Sequence, residues 1–255
     1  MKKVLLSIIA VVLILSTLIS CESPNQRLDI DVDHNFTGLG TNDLYGTILG
    51  ISSNPNDYMG KTVAITANVS CVYSFDTHRI ISTVIFALDP TNCCDAYYEI
   101  VKEDGIYPNF GTSATIVGTF GSNYITANEI RANEDAYKKA DIDTLAMSKD
   151  EVLSFIKDYY ENHKTSDAKG KTISVIGHYT RRDQYLYLIG VDTEGNTTWQ
   201  IELGKIAEGV NLPVQNGNYL NPVHITGTLS YYTEGTRTYA CIDVLTAQKV
   251  VGLLI

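Results

Sequence analysis

Apolar positions along the chain fall into two kinds of run. Most are short and rich in β-branched and aromatic residues, with turn residues between them, which predicts strands. They begin with Gly60–Ile65 and continue through Ile80–Phe86, Tyr97–Val101, Ala114–Phe120 and Tyr124-Ile125. After a polar stretch they resume as Gly170–Val175, Tyr185–Ile189, Trp199–Leu203, Val223–Leu229 and Tyr239–Val244. Two segments have helical spacing instead. Asn42–Ser52 precedes Asn54-Pro55, and the proline is expected to end it. Ser148 and Glu151 form a capping-box signature ahead of an apolar stripe at Val152, Leu153, Phe155, Ile156 and Tyr159.

These runs repeat. Gly60-Lys61-Thr62-Val63-Ala64-Ile65 returns as Gly170-Lys171-Thr172-Ile173-Ser174-Val175, an offset of 110 residues. Ala114–Phe120 returns as Val223–Leu229, an offset of 109. About five short strands in roughly 80–90 residues per copy suit a small closed Greek-key barrel of the OB type, whereas a β-sandwich wants seven or more. The expected fold is therefore mostly β: two tandem OB-like five-stranded Greek-key barrels, each preceded by a short helix. Residues 42–131 form the first unit with its helix, 132–147 a linker, and 148–255 the second unit with its helix. The Gly-Lys-Thr triplets are not phosphate loops. The motif needs a glycine where Pro55 and Thr165 stand, and a helix where strands follow.

The first 20 residues differ from everything after them. Met1-Lys2-Lys3 precedes an apolar run from Val4 to Ile19, which reads as a secretory signal, too short for a comfortable span. Leu18-Ile19-Ser20-Cys21 resembles the bacterial lipobox, which implies cleavage before Cys21 and acylation of its thiol. Residues 21–41 then tether the folded part to a lipid bilayer, and Cys21 is unavailable for disulfides or metals. Cleavage removes two lysines and no acid, leaving 17 basic and 29 acidic residues and a net charge of −12. That charge disfavours a phosphate backbone as partner, so nucleic acid is not expected. The expected location is the extracytoplasmic face of the cell membrane.

One stretch carries a family resemblance. Ile30-Asp31-Val32-Asp33, the helix before Asn54-Pro55, Asp57–Val63 and Asp89-Pro90-Thr91-Asn92-Cys93-Cys94 are similar to a family of small secreted bacterial OB-like lipoproteins with an Asp-x-Thr-x-Cys-Cys segment. Tyr107-Pro108, Gly111 and Gly118-Thr119-Phe120 extend the match, which covers roughly residues 28–130. The second copy follows only in outline and has Gly195-Asn196-Thr197-Thr198 where the cysteines would fall. The resemblance implies a fold and an address and brings no activity.

Five cysteines leave four after Cys21 is set aside. Outside the cytoplasm thiols tend to be oxidised, so Cys71 bridged to Cys93 or Cys94 is one expectation. A second is a zinc or copper site using Cys93 and Cys94 with His78 or Asp89, although adjacent cysteines make a poor tetrahedral pair and no C-x-x-C spacing is present. A thiol-redox role is a third. His178 and His224 are expected near one another on paired strands, as a metal or anion site or as surface residues on a barrel face. Asp29, Asp31 and Asp33 imitate a calcium loop, but His34 and Gly40 stand where glycine and glutamate are required. Seventeen tyrosines, with pairs at Tyr97-Tyr98 and Tyr231-Tyr232, suit either strand packing or stacking against a ligand. No catalytic constellation and no cofactor motif stands out. The reading is a non-catalytic, membrane-anchored binding or interaction module for a protein, peptide or glycan, with metal binding as the alternative.

Overall fold

The computed structural model describes residues 27–91, 94–192, 194–212 and 221–253. Cys21, the expected lipidation site, and Cys93 lie outside them. The described chain is mostly strand, arranged as two sheets of seven and six strands with two helices.

In the first sheet β1 (His34–Phe36) is followed by α1 (Thr41–Ser53), then β2 (Thr62–Ser74), β3 (Arg79–Leu88), β4 (Asp95–Val101), β5 (Ser113–Phe120) and β6 (Tyr124–Arg131). Pairings run β2–β3–β4–β6–β5 and return from β5 to β2, so five strands form a ring. Only β4 and β6 pair in parallel within it. The second sheet is built from β7 (Ile142–Asp143), then, after α2 (Lys149–Asn162), β8 (Thr172–Arg182), β9 (Tyr185–Val191), β10 (Thr197–Ile206), β11 (Asn221–Glu234) and β12 (Arg237–Lys249). Its ring runs β8–β9–β10–β12–β11 and back to β8, again with one parallel pair, β10–β12. A last strand, β13 (Val251–Leu253), leaves the second sheet and pairs in parallel with β2 of the first.

Alternation fills each ring. Val63, Ile65, Ile85, Ile100, Ile116 and Ile125 are fully or almost fully buried in one core, and Ile173, Val175, Leu188, Ile201, Ile225 and Ile242 in the other. Each helix plugs its own ring. Helix α1 stops at Asn54 because Pro55 follows, and it buries Ile48 and Ile51 against β3 and β4. Helix α2 starts at Ser148, whose hydroxyl accepts from the Glu151 N–H while the Glu151 carboxylate accepts from the Ser148 N–H. It buries Val152, Ile156 and Tyr159, and the Tyr159 hydroxyl donates to the Ser230 carbonyl at 2.9 Å.

The repeat reaches further upstream than the strand runs show. Asp33 accepts from both the backbone N–H and the hydroxyl of Thr62, and Asp141 does the same with Thr172. These contacts hold both carboxyls below the usual range, the backbone bond contributing most. Each aspartate leads a short strand, β1 or β7, that pairs in parallel with the first ring strand. The aspartate thus terminates a ladder rather than binding calcium. Gly60 (φ +77°) and Gly170 (φ +81°) make the same left-handed turn into β2 and β8, donating to the Phe120 and Leu229 carbonyls.

Gly190 sits opposite Trp199, the single tryptophan, and a Cβ there would run into the indole nitrogen. Gly190→Ala is expected to cost about 1–3 kcal/mol by overpacking. Urea unfolding followed by tryptophan fluorescence checks it; an unchanged midpoint contradicts the close approach.

Candidate functional site

The two rings meet along a seam with its own apolar cluster: Cys71, Tyr73 and Phe75 from β2 and its turn, Ile176 from β8, and Val250 between β12 and β13. Strand β13 stitches it, registering Val251 with Val72 and Leu253 with Ser74. The Ser70 hydroxyl donates to the Lys249 carbonyl at 3.1 Å, and the Lys249 ammonium lies 3.1 Å from the Asp95 carboxylate. The seam is therefore closed by main chain, apolar burial and one ion pair together.

Three of the five histidines gather here, all buried. His178 lies opposite Pro222 and His224 opposite Ile176, so both imidazoles share one face of the β8–β11 pair, one register step apart. The expectation that these strands bring them close is met. They are not surface residues but face the first ring: Phe75 stacks on His178 at 4.1 Å and 30°, and Phe110 meets His224 edge-on at 5.5 Å. His224 Nε2 is 2.8 Å from the Ser174 hydroxyl, and Nδ1 is buried with no hydrogen-bond partner. Burial pushes His224 down to about 4.

His78 closes the β2–β3 turn with a left-handed φ of +53°, matched by Asp183 at +56° in the β8–β9 turn. The Thr144 carbonyl can only accept, so His78 Nε2–H donates to it at 3.2 Å, leaving Nδ1 to accept from the Tyr73 hydroxyl. Burial is the main cause of its lowered pKa, against the raising effect of the Thr144 bond, with Lys149 adding a smaller push down. Thr144, from the stretch expected to be a polar linker, is itself fully buried, and its hydroxyl donates to the Ser174 carbonyl.

Beside the seam lies a cleft of about 410 Å³ with walls from both rings and from residues 137–146. Phe110, Leu145 and His224 contribute to its walls; Ile80 and Ile106 line it while staying 38% and 58% exposed. Lys139 adds positive charge, whereas Lys138 is paired with Asp135 at 2.6 Å and Asp143 adds a carboxylate. An exposed apolar rim with Lys139 at its edge suits an extended, partly apolar segment that carries an acidic group.

The expected metal set does not come together. His78 stands at one end of β3 and Cys94 at the other, a ten-residue strand apart, roughly 33 Å at extended rise. Both His78 nitrogens are committed, and no group of three metal-ligating side chains exists among the described residues. Asp89 instead accepts from the Cys94 N–H at 3.1 Å and from Thr91. Nor is Cys71 bridged to Cys94: Cys71 is a buried free thiol. Cys71 pairs with Thr83 and points into the seam, whereas Cys94 lies beyond the Leu88–Asp95 end of the same ladder, about 16 Å further along, past disulfide reach. Any bond to Cys93 falls outside the described residues. Cys71 is pushed up to about 12 by burial, and Cys241 to about 11 by burial and then by Asp243 and Glu202. Neither is a thiolate near neutrality.

Sequence reasoning missed Phe75, Phe110 and Thr144. Phe75 at a strand end had a readable signal, since a phenylalanine at a hairpin tip needs cover. Phe110 and Thr144 had none, because loop residues take their partners from tertiary structure.

Two outcomes follow from this geometry. The seam is expected to lose stability as pH falls. Above about 6.5 His224 is neutral whether the seam is open or closed; below it the opened form takes up a proton that the closed form refuses until about 4. The loss grows across that window to on the order of 3 kcal/mol. Thermal unfolding between pH 7 and pH 4 measures it, and His224→Gln should flatten the slope; an equal slope in the variant contradicts the assignment. Alkylation by iodoacetamide of the reduced native protein, mapped by peptide mass, should modify Cys94 and spare Cys71 and Cys241. Rapid modification of Cys71 would mean the seam is open. Compared with protein-family models, curated proteins and solved structures, the chain matches none, so function is read from this geometry alone.

Proposed function

We propose that this protein is a lipid-anchored, extracytoplasmic binding module that is not a catalyst. Its ligand is an extended acidic and partly apolar peptide segment, of a partner protein or free, lodged in the cleft between the rings. The observation that carries this reading is the cleft itself, which takes walls from both rings and leaves Ile80 and Ile106 exposed beside Lys138 and Lys139. Lys139, which makes no ion pair among the described residues, favours an acidic group at that point of the ligand.

Each ring reads as an OB-like Greek-key barrel. Two features support it: the circuit in which the fifth strand inserts between the third and fourth, and the single parallel pair that this insertion creates. Anchoring rests on the lipobox-like Leu18-Ile19-Ser20-Cys21 and on the resemblance to secreted lipoproteins over residues 28–130. The cysteine segment at Asp89–Cys94 belongs to that resemblance, and none of its described residues lines the cleft.

Panning a random dodecapeptide display library on the immobilised chain tests the ligand class. Peptides combining acidic and apolar residues should be enriched, and Ile106→Asp with Lys139→Glu should abolish the enrichment. Recovery of no sequence above the bare-support background would overturn the reading. Anchoring is tested separately: Cys21→Ala should move the chain from the detergent phase to the aqueous phase on Triton X-114 partition.

A further inference from the structure

The outer face of the second ring holds a buried carboxylate among tyrosines, remote in purpose from the cleft. Tyr187 on β9 is opposite Glu202 on β10, and Tyr232 on β11 is opposite Tyr239 on β12. Leu188 and Ile201, the alternate neighbours of Tyr187 and Glu202, fill the core, so Tyr187 and Glu202 belong to the outer face. A glutamate on that face is ordinarily solvated. Glu202 is only 8% exposed, because aromatic rings close over it.

The Tyr232 hydroxyl donates to Glu202 Oε2 at 3.0 Å, and the Tyr232 ring stacks on Tyr239 at 5.3 Å and 23°. Burial, and after it the nearby Glu234, raise the Glu202 carboxyl above the usual range, with the Tyr232 bond opposing. No lysine, arginine or histidine forms an ion pair with it among the described residues. A carboxylate so enclosed lacks its counter-charge, which is costly for the protein by itself.

Next to it is a cavity of about 80 Å³ whose walls include Tyr160, Tyr187, Tyr239 and Glu202. The same face already draws a cation from its own chain: the Arg182 guanidinium lies 5.8 Å from the Tyr187 ring centre. Aromatic rings with a carboxylate attract a positive head group through ring quadrupoles and net charge together.

We propose that this cavity is a binding site for a methylated ammonium group, enclosed by Tyr160, Tyr187 and Tyr239 and neutralised by Glu202. The make-up of the walls favours one ligand class. A primary ammonium brings three N–H groups that each need an acceptor, and a sugar needs donors and acceptors in several directions. Three acceptors nearby are engaged, Glu202 Oε2 by the Tyr232 hydroxyl, Glu234 Oε2 by the Tyr185 hydroxyl and Gln200 Oε1 by Arg182, and the remaining walls are chiefly aromatic and apolar beside one carboxylate. A quaternary ammonium asks for none of these, only for apolar contact and negative charge.

The test is titration of choline chloride into the full chain in dodecyl maltoside, followed by proton NMR of the N-methyl groups and by Trp199 fluorescence. Saturable binding is expected, with the methyl resonance moved upfield by ring currents and ethanolamine at least about tenfold weaker. Glu202→Gln should weaken choline at least about tenfold while keeping the melting temperature. Tyr187→Leu serves as the second variant, with the same loss, should Glu202→Gln fold poorly. Lys139→Ala, in the cleft, should leave choline affinity unchanged, which separates this site from the proposed function. Absence of saturable choline binding, equal affinity for ethanolamine, or full affinity in both variants would overturn the proposal.

Discussion

The architecture depends on the length of β2. Its thirteen residues exceed what one ring can pair, and the surplus is where the two halves of the protein join. On one edge β5 covers Thr62–Asn68; the Gly111 and Thr112 main chain continues to Val69, and β13 takes over at Val72. A strand end left bare there would expose unpaired backbone groups and the apolar faces of Cys71, Tyr73 and Phe75. The second ring supplies both remedies at once, with β13 for the backbone and Ile176, His178 and Val250 for the side chains. The cleft exists because this join covers one side of the first ring and leaves Ile80 and Ile106 beside it uncovered.

Neutral histidine suits this join. An imidazole stacks on phenylalanine like an apolar ring yet can still donate or accept a hydrogen bond, as His78 does across the seam to Thr144 and His224 does with Ser174 inside the second ring. That dual character has a condition attached: the buried Nδ1 of His224 has no acceptor for a second proton. The contact is therefore secure only while the ring is uncharged. Tyrosine does comparable duty on the opposite side of the second ring, where Tyr232 covers Glu202 with its ring and satisfies it with its hydroxyl.

Local signals made the elements legible, and the repeat made their number legible. Gly60 and Gly170 mark the same turn, Asn54-Pro55 ends α1, and Ser148 with Glu151 starts α2, all because each depends on residues within four positions. Asp33 and Asp141 were harder: each acts on a threonine some thirty residues away, so their shared purpose shows only once the strands pair. The seam was illegible for a stronger reason. Nothing in Cys71, Phe75 or His178 says which surface will meet them, since the partner lies in the other copy. Sequence proximity also misled, for His78 and Cys94 appear near enough to share an ion until β3 is drawn out straight between them.

The last strand imposes an order of assembly. Ser70 and Lys249, which bond across the join, are separated by 179 positions. Each ring can close on contacts within its own hundred or so residues, but the surplus end of β2, paired to β3 on one edge, has no partner on the other until nearly the whole chain has been made. Such a distant pairing carries a large loop-closure entropy unless both rings are already formed and present prearranged edges. Docking is thus the terminal event of folding, and an interrupted or clipped chain would retain two intact rings with a sticky, strand-accepting edge between them.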